Sequence, residues 1–277
     1  EEWKAFATCA AETAQSIDPD FPLFIGATTL NTRDTISRMR FLADLGVTGT
    51  LLGRPMWGEM VVSVMDKFYR DVANAVPEMA IVVYDNTAAF RGIIPRSVYK
   101  TLIELPQVVA VKYAGGASVG FRYHNDMAHT GTSFPLMSIE TDWFPAWEMY
   151  GEELVGMAWS STTAMGPGPV LELRDALQQG RYDDAKWLTE RLRWAHEPFL
   201  VGQDFMEFAK YNIPLEKMRV NEAGYINVGK SRVPYTEDLV PEVHAQTTSE
   251  HVKRYMQIRT EIEARFGVRA SKLADKV

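Results

Sequence analysis

Short apolar runs alternate with longer stretches whose apolar residues recur every three or four positions, and this alternation fills the first 166 residues. The chain opens on EEWKAFATCAAETA, where Trp3, Phe6, Ala7, Ala10 and Ala14 keep helical spacing. Apolar runs at 21–28, 47–53, 80–86, 107–113, 134–138 and 154–160 read as strands. Between them, 31–46 begins with an Asn31 cap signal and stops at Gly46, 58–76 is amphipathic, and a further helix starts at Pro95. Six strands alternating with helices predict a parallel sheet. From Pro167 the strand signals stop, and 168–180, 181–201, 204–213 and 249–267 read as helices.

A doubly wound sheet would carry a glycine-rich phosphate loop after its first strand, and neither G-x-G-x-x-G nor G-x-x-x-x-G-K-[ST] occurs. The α/β pattern therefore fits a (β/α)8 TIM barrel with a C-terminal helical extension, provided that two further strands lie upstream of Glu1. On this reading 1–166 holds barrel strands three to eight with their helices. Residues 167–277 hold the last barrel helix and the extension. The opening at Glu1, without methionine, reads as a chain joined partway.

Composition narrows the function. Of 277 residues 46% are hydrophobic, enough for a large core, and 29 basic against 36 acidic residues leave a net charge of −7 without long runs of one sign. That balance disfavours a nucleic-acid or anionic-membrane partner. The single cysteine, Cys9, excludes an intrachain disulfide and suits a reducing compartment, so a cytoplasmic location is expected. Apolar stretches are too short to span a bilayer, and no leader is seen.

Barrel enzymes place their chemistry where each strand meets its following loop. Those positions hold Thr28 and Thr29, Arg54 followed by Pro55, Met56 and Trp57, Tyr84-Asp85-Asn86, Lys112-Tyr113, Ser138 with Glu140, and Trp159-Ser160-Ser161. Lys112 stands out, because four apolar residues run straight into it. An ammonium in apolar surroundings is penalised, which would favour a nucleophilic neutral amine suited to Schiff-base chemistry. A snorkelling or ion-paired structural lysine is the competing reading. Tyr84 occupies the same relative position one strand earlier, and parallel neighbours lie roughly 5 Å apart, so phenol and amine can face one mouth and exchange protons.

These residues, VVYDNTAAF followed by VVAVKYAGG, resemble the dihydrodipicolinate synthase and N-acetylneuraminate lyase family of pyruvate-dependent class I aldolases. The family's Tyr-Asn-x-Pro is here Tyr84-Asp85-Asn86-Thr87, which disfavours the two name-giving activities. With LGRPMW, AWSSTTAMGP and FAKYNIPLEKMR, the chain is most similar to the hydratase-aldolase branch that degrades aromatic hydrocarbons. The resemblance implies an upstream Gly-Thr-x-Gly-Glu loop that holds the pyruvate carboxylate. It implies that Lys112 forms the Schiff base, that Tyr84 shuttles protons, and that Asn86 and Asn212 orient the added water. Trp159 would line the aromatic end of the pocket, with Ser160 and, more weakly, Ser161 beside it.

The substrate implied is an aromatic 2-keto acid, a benzylidenepyruvate with an ortho carboxylate or, alternatively, an ortho hydroxyl. It would give pyruvate and an aromatic aldehyde with no metal and no organic cofactor. A homotetramer is implied, and Trp187, Leu192, Trp194 and Phe199 offer apolar surface for subunit contacts. Without the resemblance, Asn86 reads as a turn residue, Asn212 as a helix C-cap and Trp159 as core packing.

Arg54, beside Trp57, is a candidate for bidentate recognition of an ortho carboxylate, with Arg91 as a second. The five histidines show no metal-ligand spacing, and no carboxylate cluster suits Mg2+, which disfavours a metal-dependent aldolase. Two rivals remain. A sugar-acid lyase would need a polar pocket where Trp57 and Trp159 stand, and a non-catalytic keto-acid sensor would have no use for Tyr84 and Lys112.

Overall fold

A computed structural model describes residues 1–114, 120–131, 133–201 and 204–267. Residues 115–119 of the small-residue loop after Lys112 lie outside the described residues. Four strands pair in parallel and in chain order: β1 (Gly49–Leu52), β2 (Ala80–Asp85), β3 (Val108–Tyr113) and β4 (Leu136–Met137). Their nearly continuous apolar sequence follows from burial on both faces, as a parallel sheet requires. Parallel neighbours need long crossovers. These are α3 (Val62–Ala75), α4 (Arg96–Glu104) and α5 (Phe121–Thr130). Before the sheet come α1 (Glu2–Ile17) and α2 (Thr32–Asp44). The Asn31 cap is as read: its Oδ1 accepts the Asp34 amide at 2.9 Å. Gly46 takes φ +72°, a left-handed conformation that ends the helix.

The chain divides into two compact units, one of Glu1–Ser138 with Glu153–Met157, the other of Ile139–Glu152 with the chain from Ala158 onward. The second unit is helical. It contains α6 (Trp143–Tyr150), α8 (Gly168–Gln178), α9 (Tyr182–His196), α10 (Phe205–Ala209), α11 (Asn212–Ala223) and α12 (Glu242–Phe266), while the short α7 (Glu152–Val155) begins at the boundary. Its core includes Leu173, Leu188, Leu192, Leu215, Tyr255, Ile258 and Ile262, all at most 1% exposed.

Several expectations change. The run at 21–28 contributes a single bridge, Phe24 to Gly49, and 134–138 shortens to β4. The run at 154–160 starts inside α7, and only Trp159 makes a bridge, to Ile139. Its leucine, methionine and alanine favour helix, and Val155 alone is β-branched. KYNIP does close a helix, with Lys210 as the C-cap of α10, but Asn212 is the first residue of α11 and not a C-cap, and Pro214 is the third residue of that first turn, where an amide has no intrahelical partner to lose. Leu192 and Phe199 lie in the chain's own core, and Trp194 is covered by Arg191 and Arg254.

Close approach fixes two glycines, one that opens β1 and one just beyond its end. A Cβ on Gly49 would lie 2.5 Å from the Ala80 carbonyl oxygen, and one on Gly53 would lie 2.0 Å from Cζ of Phe90, a ring only 3% exposed. Phe90 is itself held against the Tyr84 ring and the Arg54 guanidinium. Gly53→Ala should therefore destabilise the protein by about 1–3 kcal/mol through overpacking. A denaturant midpoint equal to wild type would contradict this packing.

Candidate active site

The register of β2 on β3 sets Tyr84 directly opposite Lys112 and Asp85 opposite Tyr113. Side chains alternate across a strand, so the first pair shares one face of the sheet and the second pair shares the other. Both members of the first pair are half-buried, and the Lys112 Nζ lies 4.4 Å from the Tyr84 ring centroid. Phe90 meets the same ring edge-on at 5.3 Å.

Asn86 adds chemistry that a plain turn residue lacks. Its Oδ1 accepts the Ala88 and Ala89 amides, each at 3.0 Å, as in an Asx turn. Two backbone donors on one oxygen settle which end of the amide is which. The Nδ2 then donates to the Tyr84 hydroxyl at 3.0 Å, so the phenol oxygen accepts in this bond and its proton is not spent on Asn86. Asn86 is thus both the turn residue and a partner of the candidate proton carrier.

On the opposite sheet face a polar network supports this pair. Asp85 is fully buried, and its Oδ2 accepts from the Arg122 guanidinium and from the Tyr99 hydroxyl, the latter at 3.2 Å. Burial pushes the Asp85 carboxyl above the usual range, with Arg122 pulling it back. The Tyr113 hydroxyl donates to Asp126 at 2.9 Å. Sequence reading missed Tyr99, Arg122 and Asp126, because they sit on α4 and α5 and meet Asp85 and Tyr113 only in the fold.

Arg54 and Trp57 are not brought together as a pocket wall. Trp57 is 86% exposed, whereas Arg54 is wholly buried and has no surface for a ligand to meet. The Arg54 Nη2 donates to the carbonyls of Phe90, at 3.3 Å, and Gly92. Its guanidinium lies 5.6 Å from the Phe90 ring centroid. The carbonyls of a tight loop engage Nη2, while Nε and Nη1 are buried without a hydrogen-bond partner among the described residues; between the two carbonyls Arg91 adopts a left-handed φ of +57°. Arg54 therefore clamps the loop that carries Phe90 against Tyr84.

In the second unit, Glu140 organises the turn after Trp159. The fully buried carboxylate accepts from Ser160 Oγ at 3.1 Å, the Ser161 amide at 3.0 Å, the Thr162 amide at 3.2 Å and Thr162 Oγ1 at 2.8 Å. Burial raises its pKa, and these hydrogen bonds oppose the rise. The hydroxyl of Ser160 is thereby committed to Glu140. Trp159 is half-buried, and Asn212 is the exposed first residue of α11.

Two histidines lie in the core: His244 is 3% exposed and His251 0%. The His251 Nδ1 contacts the Ala195 carbonyl at 2.6 Å and must donate to it, so its Nε2, 3.4 Å from Arg219 Nη1, is an acceptor. Desolvation, with His196 and Arg219 nearby, pushes His251 down to about 3, and desolvation likewise pushes His196 down to about 4. Among the described residues no group of His, Cys, Asp and Glu could hold a metal ion, and no helix is long and apolar enough to cross a membrane.

Comparison with known proteins adds an independent line. The model of the Dihydrodipicolinate synthetase family matches residues 2–266. A trans-2'-carboxybenzalpyruvate hydratase-aldolase from Nocardioides sp. (strain KP7) is 41% identical over 238 residues, 86% of this chain and 71% of that protein. A trans-O-hydroxybenzylidenepyruvate hydratase-aldolase from Sphingobium xenophagum is 39% identical over 229 residues, 81% of this chain and 67% of that protein. The solved structure of PhdJ bound to substrate intermediate superposes with a TM-score of 0.87 at 40% identity, covering 94% of this chain and 78% of that one.

Two outcomes follow from the geometry. Arg54→Met should lower thermal stability and reduce turnover of carboxylated and hydroxylated substrates by the same factor. A loss confined to the carboxylated compound would return Arg54 to substrate recognition. The His251 pKa is depressed from an unfolded value of about 6.5, so the unfolded chain binds the extra proton first. The stabilising contribution is complete above pH 6.5 and is lost as pH falls toward 3, by about 1.4 kcal/mol per pH unit. His251→Gln, which can keep one donor and one acceptor, should flatten the fall of the melting temperature between pH 6.5 and 4. An unchanged pH profile would refute this assignment.

Proposed function

The chain belongs to the dihydrodipicolinate synthetase family, whose fold is the (β/α)8 barrel, and from that premise we propose that it is a hydratase-aldolase, a lyase that releases pyruvate from an aromatic benzylidenepyruvate. The observation that carries this reading is the Tyr84–Lys112 pair, in register on adjacent strands, with Asn86 hydrogen-bonded to the phenol.

The Lys112 amine attacks the keto carbon of the substrate, Tyr84 relays the proton that lets water leave, and an iminium forms. The iminium withdraws electrons along the conjugated alkene, so water adds at the carbon next to the ring and the side chain becomes an enamine. Proton return to the adjacent carbon restores the iminium. Removal of the new hydroxyl proton then breaks the bond between these two carbons. The aromatic aldehyde departs, and the electron pair moves into a pyruvyl enamine. Protonation and hydrolysis free pyruvate and Lys112.

One lysine serves both half-reactions, and the reading needs no metal or organic cofactor. Asn86 and Asn212 are assigned to water orientation, and Trp159 and Ser160 to the aromatic end. The higher identity to the carboxybenzalpyruvate enzyme supports an ortho-carboxylated ring, with 2-carboxybenzaldehyde as product. The hydroxylated ring, giving salicylaldehyde, is the second reading, favoured by the burial of Arg54, which withdraws the arginine first considered for a carboxylate. A cytoplasmic homotetramer completes the proposal, on family resemblance.

Pyruvate followed by borohydride should leave a reduced pyruvyl adduct on the peptide containing Lys112, and Lys112→Arg should abolish it. Tyr84→Phe should lower kcat by about 10²–10⁴-fold. An adduct on another lysine, or none in wild type, would refute the mechanism.

A further inference from the structure

We propose that Arg219 is a positioning residue for this reaction: it clasps the Trp159–Thr162 turn to α11 and so fixes the placement of Asn212. The inference rests on the assignment of Asn212, Trp159 and Ser160 to the substrate, made above. Arg219 is 2% exposed, and its partners point in three directions. The Nη2 donates to the Ser161 carbonyl, Nε donates to Glu216 at 2.8 Å, and Nη1 faces the acceptor Nε2 of His251 at 3.4 Å. One face of the guanidinium covers the Phe199 ring, 4.6 Å from its centroid.

The turn is therefore gripped on both polar sides. Glu140 takes the amides of Ser161 and Thr162, and Arg219 takes the carbonyl of Ser161. A fully buried carboxylate alone would fix the turn to its own strand end. The arginine adds the link to a helix, and that helix begins at Asn212.

Asn212, Leu215 and Arg219 stand at i, i+3 and i+7, on one helical face. Leu215 is wholly buried against Phe199 and Phe208 and supplies a second fixed point. Seven residues rise about 10 Å. A tilt of about 5° about the Ser161–Arg219 contact thus displaces Asn212 by about 1 Å, an error that can cost 10²-fold in rate. The geometry calls for a fork rather than a point charge: three partners lie around one planar group, which an ammonium on a flexible stem cannot reproduce.

Arg219→Lys, Asn212→Ala and their combination are to be compared with wild type for turnover of the two benzylidenepyruvates, alongside pyruvate–borohydride labelling of Lys112 and thermal melting. Arg219→Lys should lower kcat on the order of 10- to 100-fold, with KM within about threefold and labelling at the wild-type rate. In the Asn212→Ala background the same substitution should cost little more, because its effect runs through Asn212. Arg219→Ala should regain turnover with added ethylguanidinium and not with ethylammonium; if it does not fold, the lysine variant carries the comparison.

Wild-type kcat in Arg219→Lys overturns the proposal. So does a loss that adds in full to that of Asn212→Ala, or a drop explained entirely by lower melting temperature. Failure of wild type itself to turn over either substrate or to be labelled overturns the functional reading, and the clasp falls with it.

Discussion

The pairing of β2 with β3 is the constraint on which the first unit depends. A shift of one residue would place Asp85 opposite Lys112 and turn a carboxylate toward the amine, since side chains alternate with a period of two. The observed register instead sets an aromatic hydroxyl beside the lysine and sends the carboxylate to the helix side, where Arg122 and Tyr99 meet it. Leaving the Asp85 carboxylate buried without those donors would be costly, so the two donors on its Oδ2 also hold the register, while Oδ1 is buried without a partner among the described residues.

Much of this was legible in the chain. Apolar runs with polar residues at their ends marked β1, β2 and β3, and the position of Tyr84 and Lys112 at the ends of two successive runs matched the register in which the strands pair. Asn31 and Gly46 announced the limits of α2 because capping is local physics. Where an element's identity depended on partners far along the chain, the pattern misled. The run at 154–160 has strand-like hydrophobicity, yet it yields one bridge and a helical turn. Arg54 sits beside an exposed tryptophan in sequence, but Phe90 and Gly92, brought close by the fold, capture its guanidinium. Arg219 closes the FAKYNIPLEKMR motif, but its role gave no signal, since nothing in KMRV tells a buried clasp from a solvated helix face.

The buried cations share a logic. Arg54 and Arg219 each place a planar, delocalised charge against a phenylalanine ring and spend donors on backbone carbonyls. An ammonium would need more hydration than these sites allow, whereas guanidinium is more weakly hydrated and stacks on aromatic faces. Arginine at these positions therefore fixes loops from inside the protein. Recognition of a ligand by charge would require an exposed edge, which neither side chain presents.

Asn86 and Glu140 show one local solution carried out with two chemistries. Each collects consecutive backbone amides with a side-chain oxygen and so fixes the turn beyond a strand end. The carboxylate of Glu140 has only acceptors, and it spends them on the amides and hydroxyls of the turn it faces, Oε1 on Ser160, Ser161 and Thr162 and Oε2 on the Ser161 amide, so it has no donor to offer a reactant. The amide of Asn86 has a second, donating end, and the same turn that occupies its oxygen aims that end at Tyr84. A carboxylate at residue 86 would satisfy the turn equally well but would set a second acceptor against the phenol, drawing its proton away from the substrate. The choice of amide over acid therefore decides whether a structural turn also serves the chemistry beside Lys112.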